Sequence, residues 1–166
     1  MTVKHFEDIA LGERVGDLDK GRMSTAHIMR WSAAVENFHR IHYDQPFAVE
    51  HDKLPGVLIN GSWKQHVLVQ LVKDSLGSGG WLWKLKFRYK KMDVAGDSIR
   101  AVAEVIGKQE VDGLGFVTLK VVILDQNGEE STAGYAVGVL PLRNGPDVPY
   151  PFVKKPAYDA VTWPEG

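Results

Sequence analysis

Between Arg30 and Trp63 the chain reads RWSAAVENFHRIHYDQPFAVEHDKLPGVLINGSW. Two histidines, His39 and His42, fall just past the expected end of an amphipathic helix, with Asn37, Arg40 and Asp44 among them. Pro55-Gly56 follows, and Asn60-Gly61 opens a second, longer helix. An unperturbed imidazole titrates near pH ~6.5, so it can take and return a proton under working conditions. The backbone N–H of a glycine at a helix N-terminus can donate to an oxygen that gains negative charge, helped by the helix dipole. Such a set suits a reaction that moves protons beside a developing oxyanion. Asn37 cannot carry a proton; it can only hold a water or a hydroxyl.

Each of these residues has a plainer use. His42 alone could cap a helix end or sit solvated in a loop; its neighbours turn the reading toward proton transfer. His39 is divided between proton transfer and hydrogen-bonding the crossing backbone. Arg40 can pin Asp44 or a carbonyl, or touch a substrate. Asp44 reads first as a loop-orienting carboxylate and second as a proton carrier. Asn60 can cap the helix it precedes. His66 suits packing or an interface, and His5, His27 and His51 suit the surface. His39, His42 and His51 together suggest a metal, but no Asp or Glu joins them at a familiar ligand spacing. We therefore expect neither a metal nor a cofactor.

These groups need a scaffold, and the chain's periodicities supply one. A lead-in over 5–20 carries a short strand around 13–16. Ser24 or Thr25 caps a helix whose stripe is Ile28, Trp31, Val35 and Phe38, and which should stop near His39. Pro46, Pro55 and Gly56 mark an irregular crossing segment. The second helix runs from Gly61 to Leu76 with Trp63, Val67, Leu68, Leu71, Val72 and Leu76 inward, and Gly77–Gly80 ends it. Strands follow. Trp81, Trp83, Leu85, Phe87 and Tyr89 alternate with Leu82, Lys84, Lys86, Arg88 and Lys90. A second strand places Ile99, Ala101, Ala103 and Val105 on one face. Asp112-Gly113 and Asn127-Gly128 are hairpin signals. The near-continuous apolar run 115–124 should be central and covered on both sides, and the Gly/Ala-rich strand 132–140 should let a helix approach closely. Pro146, Pro149, Pro151, Pro156 and Pro164 mark 146–166 as an extended tail on the surface or over a partner. The expected class is α+β: residues 1–145 form a single domain, a five-stranded antiparallel sheet wrapped around one long central helix, the hot-dog architecture.

Bulk properties bound the function. The 166 residues favour one domain; 44% are hydrophobic and 25% charged, as in ordinary globular proteins. A net charge of −1 gives no global field for nucleic acid or an acidic membrane. The absence of cysteine excludes disulfides and thiolate chemistry and fits a cytoplasmic setting. No run approaches the ~20 apolar residues of a membrane span. Gly77–Gly80 is not followed by Lys-Ser/Thr, so there is no phosphate-binding loop, and no Gly-x-Ser-x-Gly elbow occurs. The basic residues Lys84, Lys86, Arg88, Lys90 and Lys91 read as a solvated face. They could also border an edge strand that pairs with its twin, or meet the phosphates of a thioester carrier.

The segment Asn37-Phe38-His39-Arg40-Ile41-His42, then Tyr43-Asp44, then Leu54-Pro-Gly-Val-Leu-Ile-Asn60-Gly61, resembles the MaoC-like, (R)-specific enoyl-CoA hydratase branch of the hot-dog superfamily. Its wording is closest to mesaconyl-CoA hydratase-like and mitochondrial dehydratase-like members. The family run is Asp-x-Asn-Pro-x-His, an Asp two residues on, and His-Gly at the central helix. His42, Asp44 and Gly61 match it. Asn37 stands where the family has its acid, His39 where it has Asn, Arg40 where it has Pro, and Asn60 where it has His. The resemblance spans Phe6 to about Leu142 and implies reversible hydration of a 2-enoyl thioester on CoA or a carrier protein. In that picture His42 carries the proton, Asn37 positions, and Gly61 donates to the thioester oxygen. Trp31, Phe38, Tyr43 and Trp63 would wall an acyl tunnel along the central helix, suiting a short or ring-bearing acyl group. It also implies a homodimer or higher homo-oligomer, with no nucleic-acid or membrane partner. Two rivals remain: an acyl-CoA thioesterase on the same fold, and a non-catalytic subunit or lipid-like ligand binder, which the Asn at position 37 keeps open.

Overall fold

In the computed structural model, which describes residues 3–164, the chain forms one five-stranded antiparallel sheet and two α-helices. The strands are β1 (Arg14–Arg22), β2 (Trp81–Tyr89), β3 (Ser98–Val111), β4 (Leu114–Leu124) and β5 (Glu130–Pro141), in the spatial order β1-β3-β4-β5-β2. Helix α1 spans Thr25–Ala34 and α2 spans Gly61–Leu76. The expected α+β hot-dog architecture is present.

Helix α2 lies on one face of the sheet because its apolar residues recur every three or four positions. Val67, Leu68, Leu71, Val72 and Leu76 are all buried, against Ala101, Ala103, Val105, Leu119, Val121, Ala136 and Leu140. Each such side chain contributes about 1.5–3 kcal/mol by leaving water. Two strand glycines allow the close approach. A Cβ at Gly138 would stand 2.5 Å from a Leu76 methyl, and one at Gly16 would stand 2.3 Å from Ser75 Oγ. Strand β4 is central and buried on both faces, as its apolar run predicts.

Several expectations need correction. Strand β1 extends to Arg22 rather than ending near residue 16. It is an edge strand rich in charge, so its sequence shows no clear alternation. Helix α1 stops at Ala34, short of His39. Glu36 adopts a left-handed conformation with φ 54°. Its N–H reaches the Ala33 carbonyl at 3.4 Å, and the Asn37 N–H reaches the Ser32 carbonyl at 2.9 Å, which closes the helix end. The expected stripe therefore fails beyond Trp31: Val35 and Phe38 are exposed, and only Ile28 is fully buried.

Strand β2 breaks its own alternation. Leu82 pairs with Gly138 but Lys84 pairs with Val137, so Trp83 is an inserted residue. The bulge changes which face each later residue occupies. Trp81 and Trp83 face away from α2, whereas Leu82, Leu85 and Phe87 pack toward it.

The segment after β5 covers the outer face. Tyr158 and Val161 are buried with Leu114, Phe116, Val137 and Val139, and Phe152 and Trp163 pack around them. Where proline content suggests an extended strap, the structure adds one 3-10 turn, Pro156–Ala160, which inserts the Tyr158 ring. Among the described residues no helix is long and apolar enough to cross a membrane.

Candidate active site

The loop from Asn37 to Leu58 is anchored at both ends to the start of α2. The buried Ser32 and Asn60 side chains join: Asn60 Nδ2 donates to Ser32 Oγ at 3.0 Å, and the Ser32 hydroxyl lies 3.3 Å from Asn60 Oδ1. Trp31 Nε1 donates to Ser62 Oγ at 2.9 Å. Asn60 thus does not cap α2 with its side chain; its amide ties α2 to α1. On the far side, Ile59 N–H donates to the Asp93 carbonyl at 2.9 Å, and Ala95 N–H to the Val57 carbonyl at 2.8 Å. The segment leading into Gly61 is therefore clamped between the histidine loop and the residues after β2.

His42 sits in a single 3-10 turn, Arg40–His42, and is only 6% exposed. Its Nδ1 lies 2.8 Å from the Leu58 carbonyl oxygen, and the Leu58 N–H donates to the Ile41 carbonyl at 2.9 Å. A carbonyl only accepts, so Nδ1 carries the hydrogen and Nε2 keeps a lone pair. Burial pushes the His42 imidazole below its ordinary value, and nearby His39 pushes the same way, while the Leu58 bond acts against both. The ring is thus a neutral base held against Leu58, three residues before Gly61.

The neighbours take mostly positioning roles. His39 Nδ1 accepts from the Ile41 N–H at 3.4 Å, which caps the turn. Asn37 Oδ1 accepts from the His39 N–H at 3.3 Å, leaving its amide hydrogens to donate. Among the described residues no hydrogen bond joins Asn37 to His42. Arg40 Nε and Nη2 both donate to Asp44 Oδ2, at 2.9 and 2.7 Å, and the guanidinium lies 4.2 Å from the Phe47 ring centroid. Asp44 Oδ1 accepts from the Phe47 N–H at 3.1 Å. That bond, with Arg40, lowers the Asp44 carboxyl below its ordinary value, so it stays ionised and orients the loop. His51 stacks on Phe47 with 4.5 Å between ring centroids and lies 2.7 Å from Asp52.

Gly61 is the first residue of α2, and among the described residues its N–H has no acceptor. A Cβ there would stand 2.8 Å from the Tyr89 hydroxyl oxygen. One turn on, Lys64 is buried on the sheet side. Its Nζ donates to Asp93 Oδ2 at 2.8 Å and to the Lys91 carbonyl at 3.2 Å, and it lies 5.1 Å from the Tyr89 ring centroid. Removing one partner of such a buried pair costs about 3–5 kcal/mol. Sequence reasoning missed Lys64, Asp93 and Tyr89. Lys64 did leave a signal, a charge on the stripe that continues with Val67, Leu68 and Leu71.

Trp31 and Trp63 line one cavity of about 350 Å³ beside the α2 start, with Met23, Ala34, His27 and Arg30. Phe38 and Tyr43 are exposed and are not part of that lining. A larger cavity of about 680 Å³ follows the exposed flank of α2 past His66, Gln70 and Lys73 to Trp81 and Tyr150. The two linings touch, because Trp31 packs on His66 at 5.0 Å and Lys20 donates to Gln70 at 2.7 Å. The basic strand is largely engaged. Lys91 pairs with Asp125 and Glu129, Lys90 with Glu130, and Lys84 and Lys86 lie over the Trp163 ring.

Residues 14–97, about half of the chain, match the family model described as hydroxyacyl-thioester dehydratase type 2. Comparison with curated proteins finds no match. Several solved structures share the fold. The (R)-hydratase from A. caviae involved in PHA biosynthesis superposes with a TM-score of 0.72 at 24% identity, over 81% of this chain and 99% of that one. A MaoC-like dehydratase from Rhodospirillum rubrum gives 0.72 at 20% identity, over 84% and 98%. A double hot-dog protein from Mycobacterium tuberculosis gives 0.66 at 18% identity, over 86% of this chain and 45% of that one.

Proposed function

The chain belongs to the hydroxyacyl-thioester dehydratase type 2 family, and we propose that it reversibly adds water to a 2-enoyl thioester, giving a 3-hydroxyacyl thioester. The observation that carries this reading is the bond from His42 Nδ1 to the Leu58 carbonyl at 2.8 Å. It leaves a basic Nε2 on a buried ring in the loop clamped to the α2 start.

In the hydration direction, His42 Nε2 takes a proton from water as its oxygen bonds to Cβ. The double-bond electrons move to the thioester oxygen, where the Gly61 N–H and the α2 dipole stabilise the negative charge. The imidazolium then returns its proton to Cα. One water is consumed, no net charge appears, and a single group serves both proton transfers. Asn37, with free amide hydrogens, would hold the water or the substrate hydroxyl. The cavity beside Trp31 and Trp63 would take a short or ring-bearing acyl group, and the flank of α2 its pantetheine arm, on CoA or a carrier protein. Among the described residues no strand pairs with the outer edge of β2, which supports a homodimer joined there.

The test follows the enoyl-thioester absorbance of crotonyl-CoA with purified protein while a thiol reagent reports free CoA. Loss of the enoyl band without thiol release supports hydration. Thiol release would instead identify a thioesterase.

A further inference from the structure

We infer that the Tyr89 hydroxyl is a second donor to the substrate's thioester oxygen, acting beside the Gly61 N–H. The inference rests on the hydration reading above and adds a catalytic residue to it. Tyr89 is the last residue of β2, and its phenol lies against the first residue of α2. A Cβ on residue 61 would meet Tyr89 Oη at 2.8 Å, Cζ at 2.9 Å and Cε2 at 3.3 Å. Glycine at 61 is thus what lets the phenol reach the helix start. There it stands next to a backbone N–H that has no acceptor among the described residues.

The hydroxyl is available. Among the described residues Tyr89 Oη makes no hydrogen bond, and within the single chain the residue is half-exposed. Its ring is braced edge-on by Phe87, with 5.4 Å between centroids. The Lys64 ammonium, fixed by Asp93, lies 5.1 Å from the ring centroid. That cation–π contact, with the Phe87 ring, holds the phenol in place. Partial burial raises the phenol above its ordinary value, so it stays protonated and donates without giving up its proton. Two fixed donors converging on one oxygen is the arrangement that stabilises an enolate best.

The test compares Tyr89→Phe with wild type, a change that removes only the oxygen. We expect kcat for crotonyl-CoA hydration to fall about 100-fold, with KM and the melting temperature nearly unchanged. The pH profile should keep its shape, since Tyr89 stays protonated and transfers no proton. A second readout uses a chromophoric cinnamoyl thioester, whose absorbance moves to longer wavelength when its carbonyl is polarised. That shift should shrink in Tyr89→Phe. Equal kcat and an equal spectral shift in the two proteins would overturn the inference. If wild type hydrates no enoyl thioester, the hydration reading fails, and the spectral comparison still decides the donor.

Discussion

At the scale of residues, the central feature is a histidine whose environment fixes both its tautomer and its charge. His42 is buried against the Leu58 carbonyl and is held below the ordinary imidazole value near 6.5. As a base it must be neutral, so we expect kcat/KM to be flat above that value and to fall only at lower pH. The same shift has a stability consequence. Between the folded value and the ordinary one, the unfolded chain binds the proton and the folded chain does not, so stability declines as pH falls through that window. Melting curves between neutral pH and pH 5 should show a steeper loss for wild type than for His42→Gln. The residue types of His42 and Gly61, with the spacing between them, were legible in the sequence. The Leu58 carbonyl was not, because a backbone acceptor has no sequence signature. Tyr89 was read as one more alternating strand residue, since only the three-dimensional approach of β2 to α2 brings it to Gly61.

At the scale of elements, the ends of α1 and α2 position the residues of the proposed site. Helix α1 ends through Glu36 in a left-handed conformation that favours glycine. Glu36→Gly should relieve that cost and, after the added flexibility of the unfolded chain, raise stability by about 0.5–1 kcal/mol in urea unfolding. Loss of stability in that variant would contradict the capping account. This helix end was misplaced from sequence because Val35 and Phe38 continue the helical spacing, and no Gly or Pro interrupts it. Strand β2 misled in a similar way. Its two-residue rhythm was clear, but the bulge at Trp83 reverses its facing, and bulges leave little trace in residue type. Helix α2 and strand β4 were legible because their apolar patterns are long and agree with their burial.

At the scale of the whole molecule, two apolar layers lie on opposite faces of one sheet. One is built on α2 and the other on the segment after β5. The second layer turns on Tyr158, which is fully buried. Tyr158→Ala should cost about 3–5 kcal/mol, as for other buried aromatic side chains. The protein that remains folded should keep its turnover, because Tyr158 lies on the face opposite α2. Unchanged unfolding in that variant would show that the segment is dispensable. The sequence marked this segment only by its prolines, because the partners that bury Tyr158, such as Phe116 and Val139, sit on distant strands. The measurement that tests the account most directly is crotonyl-CoA hydration by wild type and by folded His42→Ala at equal concentration. A loss of about 100-fold or more in kcat, with the fold intact by circular dichroism, is the expected result. Near-wild-type turnover in His42→Ala would contradict the assignment of His42 as the proton carrier.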